Sequence, residues 1–111
     1  MKLDRNVEGN NGRGKYALVL MRELVHTGEL GEIPEEVTSA LNTLESHGLL
    51  DYGQVNTRAE FFVIRLKDKY AGVALDAYAD YASVDDPEYG SEVRALADRS
   101  GPNSPFCKLP D

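Results

Sequence analysis

A single cysteine, Cys107, stands in this chain of 111 residues, and a lone thiol cannot close an internal disulfide. That count points to a reducing compartment rather than to a disulfide-stapled secreted domain. No apolar run approaches the roughly 20 residues that cross a bilayer. The opening residues, MKLDRNVEGNNGRGK, hold no apolar segment after their basic start, so no signal peptide is expected. Internal repeats and low-complexity tracts are missing as well. Only two histidines, His26 and His47, are present, and no Ser/Cys–His–Asp set is readable as a triad. A cytoplasmic protein is therefore expected, with no membrane partner, no catalytic residue and no cofactor.

What is there suits one folded domain. The composition, 41% hydrophobic with 28% charged, is too apolar for disorder. The net charge is −7 and is unevenly spread. Residues 1–15 carry +2, because Lys2, Arg5, Arg13 and Lys15 outnumber Asp4 and Glu8, so the remainder carries −9. An acidic body repels a phosphate backbone and disfavours nucleic acid.

The most fully written local structure runs from Ile33 to Leu66. Pro34 suits a first helical position, and Glu35 and Glu36 follow where the helix dipole favours negative charge. Ile33, Val37, Leu41 and Leu44 form one apolar stripe. His47 lies in the last turn and Gly48 follows as a left-handed stop, with Leu49 placed to fold back on Leu44. Short strands are expected over Leu50–Val55 and Glu60–Leu66, joined by a polar turn at Asn56–Arg58. Upstream, Lys15–His26 reads as a buried central helix, apolar almost all round. Downstream, Asp68 offers a cap for a helix over Lys69–Ala82, whose Tyr70, Val73, Ala74, Ala77, Tyr78 and Tyr81 share one broad face. The many alanines there imply close approach to a neighbour. Asp86 and Pro87 announce a further helix with Tyr89, Val93, Leu96 and Ala97 inward. Gly101 and Pro102 end it, and Phe106 is the apolar residue by which the tail can dock.

The resulting expectation is an α+β domain. Two N-terminal helices precede a β-hairpin or small antiparallel sheet, and a C-terminal αα-hairpin leads to an extended tail. Residues 1–14 form a Gly/Asn-rich arm, 15–101 the globular body and 102–111 the tail.

Four features bear on function. Gly9-Asn10-Asn11-Gly12-Arg13-Gly14-Lys15 matches G-x-x-x-x-G-K, but Tyr16 replaces the magnesium-binding Ser or Thr and no buried strand precedes it. A weaker reading keeps Gly12, Arg13, Gly14, Lys15 and Arg22 as an anion-binding set at a helix start, able to sequester a small phosphorylated ligand. The helix ending LESHGLL with two strands after it resembles the recognition helix and wing of winged-helix DNA-binding domains. Its outward face, however, lacks Arg and Lys. Asp76, Asp80, Asp85 and Asp86 lack the spacing of a calcium loop and read as a solvated face, so no metal is expected. Tyr70, Tyr78, Tyr81 and Tyr89 read mostly as core or half-buried packing, yet tyrosine is also the residue type that interfaces favour, and Tyr70, Tyr78 and Tyr81 mark a surface for a partner or for a second copy.

The runs EFFVIRLKDKYAGVALDAYADYA and DDPEYGSEVRALADRSG, the ending SPFCKLPD and the opening NGRGKYAL together resemble a family of small proteins encoded by phages, prophages and bacterial genomes. The resemblance implies a phage accessory protein acting in a bacterial cell. Such proteins are often non-enzymatic and bind a host or defence component. It supplies no catalytic residue.

Overall fold

Small residues decide how this chain packs. The computed structural model describes residues 1–3, 14–24 and 33–110. The described helices are α1 (Met21–Leu24), α2 (Glu35–Ser46), α3 (Ala71–Asp85) and α4 (Pro87–Ala97), followed by a 3₁₀ turn at Gly101–Asn103. The chain divides into two units, one of Met1–Tyr16 with Val63–Asp111 and the other of Ala17–Phe62.

In the first unit, α3 and α4 form the expected antiparallel hairpin. Asp68 turns the chain into α3: its carboxylate accepts from the Tyr70 N–H at 2.7 Å and its carbonyl from the Ala71 N–H at 2.9 Å. Asp86 is the one residue between the helices and has extended backbone. Its carboxylate accepts from the Tyr89 N–H at 3.0 Å and Pro87 follows in the first turn, as the sequence predicts. Gly90, Val93, Leu96 and Ala97 of α4 are buried. They meet the small-residue face of α3, where Ala71 and Ala79 are wholly buried. Burying Val93 and Leu96 contributes about 1.5–3 kcal/mol each.

The expected facing of α3 is corrected by this packing. The broad apolar face points outward, and Gly72 and Ser83 turn inward while Asp76 and Asp80 stay exposed. Close approach explains the reversal. A Cβ on Gly90 would lie 2.8 Å from the Ser83 Cα, so no bulky side chain of α3 fits at that crossing. The alanines do mark close approach, but Ala71 and Ala79 supply it, while Ala74 and Ala77 are exposed.

The tail is also held differently from expectation. Phe106 is 74% exposed and anchors nothing. Main-chain bonds pin the tail instead: the Lys69 N–H donates to the Lys108 carbonyl at 2.9 Å and the Lys108 N–H to the Lys67 carbonyl at 3.0 Å. This isolated parallel bridge pairs Asp68 with Lys108.

In the second unit, α2 follows the sequence closely, with Pro34 one position earlier, at the cap. The backbone of its stop is the expected one, while Leu49, expected to fold back on Leu44, is 74% exposed. Gly48 has φ +71°, the Gly48 N–H donates to the Glu45 carbonyl at 3.0 Å and the Leu49 N–H to the Leu44 carbonyl at 2.9 Å. Leu41 is the buried residue of this helix.

The β-hairpin does not form, so the α+β expectation is wrong: the described residues are helical, with no strand. Local polar contacts win over a ladder between α2 and α3. The Gly53 N–H donates to the Asp51 carboxylate at 2.8 Å. The Asn56 N–H donates to the Glu60 carboxylate at 3.0 Å, and the Thr57 hydroxyl to the Gln54 carbonyl at 2.6 Å. Gly53 and Asn56 both have positive φ, which interrupts extended backbone twice. Phe62, expected in the second of the two strands, is 87% exposed.

The buried central helix over Lys15–His26 is likewise not found. Among the described residues of that segment, 15–20 are irregular, α1 runs over Met21–Leu24, and none of α1 is buried. Val25 and His26 lie outside the described residues.

Candidate functional site

The outer face of α3 is an exposed apolar surface of the first unit. At 100° per residue, Tyr70, Val73, Ala74, Ala77, Tyr81 and Val84 fall in one sector opposite the buried Ala79. Exposure is 57% for Tyr70, 76% for Val73, 81% for Tyr81 and 82% for Val84. A tyrosine buries about 150–250 Å², so the two rings alone present roughly 200–350 Å². With the valines and alanines, the stripe reaches the roughly 300–600 Å² of the largest apolar patch on a typical monomer. The largest apolar patch of a monomer is often functional.

The neighbouring packing fixes which way this stripe points. Arg94 of α4 donates from Nη1 to the Asp76 carboxylate at 3.0 Å and to the Asp76 carbonyl at 3.3 Å, and from Nη2 to the Asp80 carboxylate. The bonds to Asp80, then Asp76, raise the pKa of the guanidinium above its ordinary value. On the other side, Tyr78 meets Tyr89 edge to face, with ring centroids 6.2 Å apart and hydroxyls 2.9 Å apart. Ser83 donates to the Ala79 carbonyl at 2.7 Å. Helix α3 is thus clamped along both edges.

Of the tyrosines singled out from the sequence, Tyr70 and Tyr81 share the outer stripe. Tyr78 stands at its edge, half committed to Tyr89. Val73 and Val84 complete the stripe, and the sequence reading left them out of the contact set. The signal was their spacing with Tyr70 and Tyr81. Asp76 and Asp80 form no cation site of their own, because the Arg94 guanidinium occupies them. Of the proposed anion set, Gly14, Lys15 and Arg22 lie among the described residues. Gly12 and Arg13 lie outside the described residues, no helix begins at Lys15, and Lys15 and Arg22 belong to different units. The wing of the winged-helix reading is absent among the described residues.

A second feature lies at the start of α4. The Met1 amino group meets the Asp86 carboxylate at 3.2 Å. Beside it is a shallow cleft of about 500 Å³, bordered by Lys2, Glu88, Glu92 and Arg99. The Tyr89 N–H first, and the Met1 amine second, lower the Asp86 pKa below its ordinary value of 3.8. A lowered folded pKa stabilises above the unfolded value, and that stability is lost as pH falls through the folded value. Asp86→Asn keeps a capping oxygen but removes the charge. Melting temperatures of the two proteins should therefore differ most at neutral pH and converge below about pH 3.8. A constant gap down to strong acid would show that Asp86 acts by shape alone.

No group of three metal-ligating side chains converges among the described residues, and no helix there is long and apolar enough to cross a membrane. The chain matches no family model, no curated protein and no solved structure.

Proposed function

We propose that this chain is a non-catalytic interaction protein of the bacterial cytoplasm that binds a host or defence component through the outer face of α3. One observation carries the reading. A helix clamped on both edges turns four large apolar residues, Tyr70, Val73, Tyr81 and Val84, to solvent. Leaving such residues exposed forgoes burial worth about 1.5–3 kcal/mol for a valine alone, and a partner recovers it. The setting as a phage accessory protein rests on the resemblance of the C-terminal runs and supplies the class of partner, not the surface.

The test is capture from bacterial lysate on immobilised protein, comparing the natural chain with Tyr81→Asp. Tyr81 is exposed and makes no described hydrogen bond, so the variant should fold and melt normally. A specific host protein should be retained by the natural chain and reduced at least about ten-fold by the variant, the scale of one lost interface hot spot. Identical retention by both would remove α3 from the contact.

A further inference from the structure

The outer stripe of α3 has a regular period. Tyr70, Ala74, Ala77, Tyr81 and Val84 are separated by four, three, four and three residues. This is the 3.5-residue repeat with which one helix lays its side chains against another, and Val73 flanks it. A sheet edge or an irregular peptide would have no use for such a seam. The sizes along it are uneven. Ala74 and Ala77 make a shallow dip between the rings of Tyr70 and Tyr81, open to a large apolar side chain from outside.

Charge decides what kind of helix fits. Helix α3 carries Asp76, Asp80 and Asp85 and neither lysine nor arginine. Asp76 and Asp80 border one side of the seam and Asp85 lies toward the other. Arg94, bonded to both, leaves that pair one net negative charge, and Lys69 stands next to Tyr70 at the seam's start. In paired helices the residues flanking the seam select the partner by charge. A second copy would bring acid against acid, and each copy already carries −7. A helix with lysines or arginines beside its apolar seam meets no such repulsion.

We infer that the seam Tyr70–Ala74–Ala77–Tyr81–Val84, with its acidic borders, docks a basic amphipathic helix of the partner protein, which seats a large apolar side chain over Ala74 and Ala77. This rests on the proposed function and specifies its partner: a helix rather than a strand or a flat surface, basic rather than acidic, and another protein rather than a second copy.

The probes are two synthetic helical peptides of about three heptads with the same leucine seam. One has lysine at the flanking positions and the other glutamate. Fluorescence anisotropy against the full chain should show the lysine peptide binding about ten-fold or more tightly, the sum of a few exposed ion pairs. The gap should close between about 50 mM and 500 mM salt as the charges are screened. Ala77→Lys puts a cation in the dip, on an exposed position that leaves the fold intact by thermal melting, and should abolish binding of the lysine peptide. Ala77→Leu fills the dip without charge and should weaken it as well. Equal binding of the two peptides, or no binding of either, would overturn the inference. So would concentration-dependent dimerisation of the chain that Ala77→Lys removes, because the seam would then belong to a second copy. Lysate capture that still depends on Tyr81 in the face of such a result would leave the proposed function standing and remove only the basic helix.

Discussion

Gly90→Val should destabilise the α3–α4 hairpin by about 2–4 kcal/mol, read as a fall in the urea midpoint at unchanged slope. Two effects oppose each other at this position. Glycine within a helix costs up to about 1 kcal/mol relative to alanine, so any side chain gains something in propensity. Against that, a Cβ would sit 2.8 Å from the Ser83 Cα and would also overlap the Ser83 hydroxyl. The hydroxyl could rotate away, at the loss of its bond to the Ala79 carbonyl. The Cα cannot move without parting the helices. Valine adds two methyl groups in the same place. Overpacking of this kind costs about 1–3 kcal/mol, and parting the helices also loosens Val93 and Ala97. Against a typical total of 5–15 kcal/mol, that is a large fraction. Gly90→Ala is the sharper control: its Cβ meets the same Ser83 Cα at 2.8 Å, so a loss smaller than valine's is expected despite the gain in propensity. A clear gain in stability from alanine would mean the helices do not cross as closely as described.

The second large effect is expected at Gly101. Its φ is +57° and it is buried, and a Cβ would meet the Lys69 carbonyl oxygen at 2.9 Å. Its N–H donates to the Leu66 carbonyl at 2.8 Å. Gly48 supplies the comparison: its φ is +71°, yet no heavy atom lies within 4 Å of a Cβ placed there. Valine at either site meets backbone strain of about 1–3 kcal/mol. At Gly101 it meets the carbonyl collision as well, so Gly101→Val should cost about 1–3 kcal/mol more than Gly48→Val. The difference has a location. Because Lys69 also holds the tail, amide exchange at Lys69 and Lys108 should quicken in the Gly101 variant and stay unchanged in the Gly48 one. Equal losses from the two substitutions would mean the Lys69 carbonyl does not crowd position 101.

Signals confined to a few neighbouring residues were legible in the sequence. The stop of α2 needs only Gly48 and the five residues before it. The start of α4 needs only Asp86 and Pro87. Both are set by local hydrogen bonding, and both backbones formed as read. Strands need a partner far along the chain, and Phe61-Phe62-Val63-Ile64 resembles a buried strand from composition alone. Nothing in that run shows that Asp51, Thr57 and Glu60 would satisfy the nearby backbone first. The facing of α3 failed for a related reason. Apolar periodicity identified a face correctly but not its direction, because size rather than hydrophobicity chose the buried side. Gly90, opposite Ser83, carried that information, and it could be used only once the two helices were known to cross there. The candidate site was legible in part for the same reason: Tyr70 and Tyr81 were picked out as residue types, and their neighbours Val73 and Val84 became relevant when the face proved to point outward.

The tail bridge at Asp68 and Lys108 has a consequence for how this chain can vary. The two peptide hydrogen bonds that join Lys67 and Lys69 to Lys108 do not depend on which side chains stand there. Side chains at 105–107 and 109 can therefore change without breaking those bonds. One replacement is forbidden at position 108, where proline would remove the donor to Lys67. The chain's end is thus fastened firmly while the chemistry displayed on it stays free to drift.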